Sequence, residues 1–280
     1  MASQKTTTTT TVCVQGAGIS EDQNPQWRRT EDTHLVADPF NGDPQQGFYA
    51  VYDGHGGDSA SKFVEQHLHL NFAKELAVNR KPVKEAFKAT MATTDDQILQ
   101  NEIMFTGTTA ICCYLNREAP EGAGQDFRGT LYTANVGDAR AVLYRSNGEV
   151  IRLSRDHRIK DPAEAQRIRD NGGFIAMNRV NGILAVTRAL GDHLLKEVIV
   201  SEPDISVHTI TDADKFLIIA CDGLWDSMSD KEACTKAEEL LEQHKEHPVG
   251  ERTAAVADGL VKEALAKGTY DNVSVVFILI

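Results

Sequence analysis

The chain has 280 residues, 41% hydrophobic and 25% charged, an ordinary globular composition with room for one large domain or two small ones. It carries 29 Lys plus Arg against 41 Asp plus Glu, a net charge of −12, which disfavours broad contact with nucleic-acid backbone or an anionic membrane. Five cysteines (Cys13, Cys112, Cys113, Cys221, Cys234), odd in number and without a C-x-x-C pair, argue against a disulfide framework or zinc knuckle. No charged-then-apolar signal opens the chain, and the apolar runs at Phe216–Cys221 and Val275–Ile280 are far too short to span a bilayer. These features predict a cytoplasmic or nuclear protein with neither nucleic acid nor membrane as a partner.

The Thr-rich start, Thr6 to Thr11, offers no apolar side chain to pack, so residues 1–13 are expected to be a flexible tail ahead of a single domain over 14–280. Phe48–Tyr52 is an apolar, aromatic-rich run that stops at Asp-Gly-His-Gly-Gly: a strand, then a turn. Ala60, Phe63, Val64, His67 and Leu68 follow at helical spacing. Pro82 opens a second helix with Val83, Ala86, Phe87, Thr90 and Met91 on one face. Thr108–Leu115 and Leu131–Val136 read as strands joined by an exposed loop, Asn116 to Gly129. Ala141–Arg145 and Glu149–Leu153 flank a short Ser-Asn-Gly hairpin connection.

Asp161-Pro162 is a helix start and Gly172-Gly173 its stop. Further on, Lys215–Cys221 is a strand and Ser229-Asp-Lys-Glu232 a capping box. Pro248 to Gly268 carries Val256, Leu260, Val261, Ala264 and Leu265 on one side of a helix, and Asn272–Ile280 is a β-branched last strand. Paired short strands with grouped helices predict an α+β fold with antiparallel sheets rather than a βαβ repeat.

One arrangement recurs. Asp53 and Asp222 each end a strand, Asp138 follows one after Gly137, and Asp271 directly precedes one. A carboxylate fixed at a strand end beside a glycine is a good hard-cation ligand, and several converging would suit Mg²⁺ or Mn²⁺ rather than zinc or copper. A single Asp-Gly is more often a plain turn, as Asp258-Gly259 inside a helical pattern illustrates. Spacing alone therefore supports only a weak metal hypothesis.

Six segments together say more: Val51-Tyr-Asp-Gly-His-Gly-Gly57, Gly107-Thr-Thr-Ala110, Ala134-Asn-Val-Gly-Asp-Ala-Arg140, Asn181-Gly-Ile-Leu-Ala-Val-Thr-Arg-Ala-Leu-Gly-Asp192, Ala220-Cys-Asp-Gly-Leu-Trp-Asp226 and Asp271-Asn-Val-Ser-Val275. In this order they resemble the motif set of the type 2C metal-dependent protein phosphatases (the PPM family), from about Val14 to the last residue, with the compact length of fungal members. The resemblance implies a β-sandwich of two antiparallel sheets with α-helices outside each sheet, and hydrolysis of phosphoserine and phosphothreonine by a water activated between two metal ions, without a phosphoenzyme. It implies that Asp53 bridges two Mg²⁺ or Mn²⁺ ions, with the Gly54 carbonyl on one and Asp222 and Asp271 on the other. Glu31 would touch the cluster, Asp32 would act through water, Asp138 would serve a third, weaker site, and Asp226 would lie one layer out. His55 matches the general acid and Arg188 lies in a motif near the substrate-facing flap, although a structural ion pair is an equal alternative for Arg188. Phosphoproteins, kinases among them, would be the substrates, with specificity from the flap, the loops or an adaptor protein.

The chain departs from this pattern once. The family's first motif places an arginine four residues before the Glu-Asp pair; here Trp27 holds that place in Trp27-Arg-Arg-Thr-Glu-Asp32, and Arg28 stands three before Glu31. Side chains alternate along a strand, so a spacing of three reverses the face. A bulge could restore Arg28 to phosphate binding, Arg29 could substitute, or phosphate capture is weakened; Arg28 is the preferred candidate. Two rival functions stay open: a pseudophosphatase binding module, favoured only by this departure, and a two-metal hydrolase of another phosphate ester, permitted by the carboxylates alone.

Overall fold

The computed structural model describes residues 15–22 and 30–280. The expected Thr-rich tail, Cys13, Arg28 and Arg29 therefore lie outside the described residues. The long elements run in the order β1 (Gly16–Asp22), β2 (Thr33–Ala37), β3 (Gln46–Tyr52), α1 (Ser59–Ala77), α2 (Val83–Gln100), β4 (Ala110–Asn116), β5 (Phe127–Val136), β6 (Arg140–Arg145), β7 (Val150–Arg152), α3 (Pro162–Asp170), β8 (Asp204–Thr211), β9 (Asp214–Ala220), α4 (Asp222–Trp225), α5 (Asp230–Gln243), α6 (Val249–Ala266) and β10 (Val273–Leu279). One five-stranded sheet has the order β1-β10-β9-β6-β7 and the other β8-β5-β4-β3-β2, every pairing antiparallel.

The period-two rule explains the layering. In β3, Tyr49 and Val51 face the other sheet, meeting Ile111, Leu143, Ile219 and Val276, whereas Phe48, Ala50 and Tyr52 turn outward onto α1 and α2. In β9, Leu217 and Ile219 point inward while Phe216, Ile218 and Ala220 pack under α5 and α6. Strands buried on both faces need continuous apolar runs, which is why β3, β9 and β10 read so plainly in sequence. Burying each such large side chain contributes roughly 1.5–3 kcal/mol. The fold is therefore four layers, helices–sheet–sheet–helices.

The caps match their sequence signals. Asp161 accepts from the Ala163 amide ahead of Pro162, and Ser229 and Glu232 make the reciprocal capping box at α5. Thr108–Leu115, by contrast, is not one strand. It breaks at Thr109, whose amide donates to the Asp53 carbonyl at 2.8 Å while its hydroxyl accepts from the Asp53 amide at 3.2 Å. Gly107–Thr108 then pairs with Gly54–His55 and with Leu190–Gly191 in a separate small sheet. Cys112, Cys113, Cys221 and Cys234 are all buried free thiols. Among the described residues, no helix is long and apolar enough to cross a membrane.

Sheet register sets where the chemistry falls. Ala220 pairs with both Arg140 and Val275, so the end of β9, the start of β6 and the start of β10 share one edge of their sheet. In the other sheet Val51 pairs with Ile111 and Ala110 with Val136, which brings the end of β3 to the end of β5. The turn at Gly137 carries the chain from β5 in one sheet to β6 in the other, joining these edges. Phe72 of α1 stacks on Phe87 of α2 at a centroid distance of 4.2 Å beneath this layer. Phe72→Ala should lower stability by about 3–5 kcal/mol in urea unfolding; a loss below about 1 kcal/mol would contradict the packing described.

Candidate active site

At the joined edges lies a cavity of about 500 Å³, lined by Glu31, Asp53, Gly54, His55, Asp138, Asp222 and Asp271, with Arg179 and Leu184 to Val186 on its wall. Five of the expected acidic ligand positions thus share one cavity. Backbone contacts fix them. A Cβ on Gly54 would fall 2.3 Å from the Glu31 carbonyl oxygen, and one on Gly223 only 1.9 Å from that of Asn272. Glycine at these two positions lets Asp53 approach Glu31, and Asp222 approach Asp271. Cys221 braces the second pair: its sulfur accepts from the Ser274 amide at 3.1 Å and donates to the Asn272 carbonyl at 3.4 Å. Cys221 is itself fully buried, just beyond the end of β9.

Asp32 is buried, does not line the cavity, and accepts from the Ser274 hydroxyl at 2.7 Å. The carboxylates disturb one another strongly. Asp53 is pushed well above the usual carboxylate range, first by crowding of protein atoms and then by repulsion from Asp32, Asp222, Asp138 and Asp271, although one side of it opens on the cavity. Asp222 is raised for the same reasons, against the pull of Arg158. Glu31 and Asp271 are raised chiefly by burial.

His55 Nε2 stands 2.6 Å from Asp192 Oδ2. Asp192 has φ of 52° and is tied by its amide to the Thr106 carbonyl at 3.1 Å. A Cβ on Gly107 would strike both partners, at 2.1 and 2.4 Å, so glycine there keeps the pair possible. Arg188 does not line the cavity. Its Nε and Nη2 donate to Glu164 at 3.1 and 2.5 Å and its Nη1 to the Glu202 carbonyl at 2.9 Å, which is the structural ion pair the sequence left open.

Two cationic residues escaped sequence reasoning. Arg179, beside the Met177-Asn178 turn whose residues both have positive φ, lines the cavity and donates to the Ile183 carbonyl at 2.7 Å. Arg158 bonds three acidic side chains, Asp138, Asp222 and Asp226. Neither belongs to a segment whose spacing signals a site, so the sequence carried no signal for them.

The model of the family described as Protein phosphatase 2C matches residues 17–273. This chain belongs to the protein phosphatase 2C family. It is 39% identical to Protein phosphatase 2C homolog 1 of Saccharomyces cerevisiae, over 94% of this chain and 92% of that one. It is 40% identical to the protein of the same name in Schizosaccharomyces pombe, over 94% and 72%. Among solved structures, a C. elegans sex-determining protein superposes with a TM-score of 0.81 at 27% identity, covering 94% of this chain and 64% of that one. A serine-threonine phosphatase 2C from Toxoplasma gondii, at 21% identity and a TM-score of 0.75, shares the fold. The resemblance, the sandwich fold and the serine/threonine phosphatase class expected from sequence are thus borne out.

Phosphatases of this family generally use Mg²⁺ or Mn²⁺. The donor set here fits such ions: oxygen only, several carboxylates, and, among the described residues, no basic side chain paired with Asp53 or Asp271. Among the described residues, no three acidic, imidazole or thiol groups form a ready-made cage.

Behind the cavity wall, a second network titrates in a defined direction. Burial would raise the Glu164 carboxyl, but hydrogen bonds from Arg188, Arg167 and Thr187 outweigh it and hold the group at about 2. Burial, reinforced by the Arg188 cation, pushes the His157 imidazole down to about 4 from its ordinary 6.5. Both folded values lie below the unfolded ones, so both contributions are complete at higher pH and lost in acid. The His157 share should disappear between pH 6.5 and about 4, and the Glu164 share from 4.5 towards 2. In urea titrations across pH 7 to 4, His157→Gln should flatten the decline of stability with acid; an unchanged slope would show that His157 does not titrate as described.

Proposed function

We propose that this phosphatase holds Mg²⁺ or Mn²⁺ at the carboxylate cavity, two ions at the core and a third more weakly, and hydrolyses phosphoserine and phosphothreonine there in one displacement at phosphorus. Asp53, the Gly54 carbonyl, Asp222, Asp271 and Glu31 are the residues that would hold the core ions, with Asp32 acting through water and Asp138 serving the weaker one. Cations bound there supply neutralisation of phosphoryl charge and a water acidified from about 15.7 towards neutrality. The supporting observation is that strand-end carboxylates from both sheets line one cavity together with His55.

The chain's own residues do the rest. His55, held by Asp192, carries a proton at the cavity wall for the departing serine or threonine alkoxide, a contribution of about 10²–10⁴-fold in general acid catalysis. Leu184 to Val186 present an apolar wall to the cavity on that side. Arg28 is assigned to the substrate phosphate, and Arg188 to holding the segment that leads to Asp192 rather than to the phosphate. The catalytic unit is a single domain over residues 14–280, acting in cytoplasm or nucleus. Phosphoproteins such as kinases are its substrates, selected through the flap, the loop expected over Asn116 to Gly129 or an adaptor.

Two measurements test this reading. Hydrolysis of a phosphothreonine peptide should require Mn²⁺ or Mg²⁺ and fall roughly 100-fold or more in Asp222→Asn, since even outer-shell changes cost 10–100-fold. Equal rates, or preference for a nucleotide over the peptide, would overturn it. Arg28→Ala should reduce turnover on the same peptide more than Arg29→Ala, by roughly 10- to 100-fold, as expected for loss of a charge-assisted contact; the reverse order would transfer the role to Arg29.

A further inference from the structure

Arg158 occupies a singular position. Its Nε donates to Asp138 Oδ2 at 2.7 Å, its Nη2 to Asp222 Oδ2 at 2.9 Å, and its Nη1 to Asp226 Oδ1 at 2.8 Å. Asp138 and Asp222 are cavity-lining carboxylates, so one guanidinium already engages oxygens on one side of the cavity. Asp53, Asp271 and Glu31, also on the cavity, have no bond to it.

The backbone around Arg158 is pinned. The His157 amide donates to the Gly137 carbonyl at 2.9 Å, and the Gly137 amide returns a bond to His157 Nδ1 at 3.0 Å. The Thr187 amide donates to the His157 carbonyl and the Asp161 amide to the Arg158 carbonyl, both at 2.9 Å. With the main chain tied on both sides, the guanidinium can leave its three partners only by rotation of its own side chain. A dication placed against the same oxygens would repel it, and an ion such as Mg²⁺ demands direct oxygen contacts at about 2.0–2.1 Å.

We propose that Arg158 is a tethered counter-cation that competes with a divalent ion for Asp138, Asp222 and Asp226, and so weakens cation binding on that side of the cavity relative to the Asp53–Asp271–Glu31 side. The proposal rests on the reading that these carboxylates hold cations. While the guanidinium is seated, it neutralises part of the repulsion and stabilises the cation-free fold. An incoming ion meets a competent corner only in the fraction of molecules where Arg158 has swung away, and its apparent affinity is reduced by that fraction.

The test is Mn²⁺ titration of the full chain by calorimetry, with melting temperature recorded in EDTA and in saturating Mn²⁺. Arg158→Met keeps the apolar stem and removes the charge. It should melt several degrees lower in EDTA, bind Mn²⁺ at the weaker step at least about tenfold more tightly, and gain more from Mn²⁺ in melting temperature than wild type. The tighter step should change less. Arg158→Lys, which keeps the charge but loses the fork, should fall between them, and it carries the comparison if the Met variant does not fold. A merely structural arginine predicts the lower melting temperature without tighter binding, so equal or weaker Mn²⁺ affinity in the variants overturns the proposal alone. Absence of any Mn²⁺ response in wild type overturns the cation-site reading and the proposal with it.

Discussion

Carboxylates crowded at one end of a β-sandwich repel one another and resist leaving water, and the architecture is organised around containing that cost. Asp53, Asp138, Asp222 and Asp271 come from four different strand ends, in two sheets. Nothing local brings them together. The attraction that does so is hydrophobic: Tyr49, Val51, Ile111, Leu143, Ile219 and Val276 bury against one another between the sheets, and a helix pair seals each outer face. Core packing a few residues away from the cavity therefore holds in place charges that would otherwise separate.

Close backbone contacts turn that pressure into position. Thr109 bonds both backbone groups of Asp53, and the price is the broken strand between Thr108 and Ala110. A second line of contacts runs from α2 to His55. Asp95 of α2 accepts from the Gly191 amide at 2.8 Å and from Lys196 Nζ, also at 2.8 Å, while Lys196 donates to the Gly191 carbonyl at 2.7 Å. Gly191 precedes Asp192, the partner of His55. A helix surface thus sets the orientation of the imidazole through two glycines and a partly buried ion pair, which makes the side chain preorganised rather than merely nearby.

What the sequence made legible follows from the same physics. Strands with two buried faces, such as β3, β9 and β10, announce themselves as unbroken apolar runs, and local caps such as Ser229 and Asp161 are complete within four residues. The acidic positions were readable as motifs, and the cavity gathers Glu31, Asp53, Asp138, Asp222 and Asp271, whereas Asp32 lies just behind it. Interactions spanning long sequence distances were not readable. Arg158 meets partners 20, 64 and 68 residues away, and Arg188 meets Glu164 24 residues back. β8, Asp204-Ile-Ser-Val-His-Thr-Ile-Thr211, is an edge strand with one polar face, a weaker signal than a buried run. Arg28 and Arg29, the two candidates for the substrate phosphate, lie outside the described residues.

Charge also links substrate capture to cation binding. A phosphate dianion approaching the bare cavity would meet Asp53, Asp222, Asp271 and Glu31 on a chain whose net charge is −12, and Coulomb repulsion would oppose entry. Raised proton affinity at Asp53 and Asp222 relieves only part of this, and Arg158 is committed to the Asp138 side. Divalent ions held there as proposed would reverse the sign of the potential at the same oxygens. On the proposed reading, one set of carboxylates therefore makes the fold dependent on cations for its charge balance and the phosphate dependent on them for its binding. The apolar strands tolerate such a cluster because their packing is continuous right up to its edge, from Ile219 to Cys221 in β9 and its turn and from Val273 to Val276 in β10.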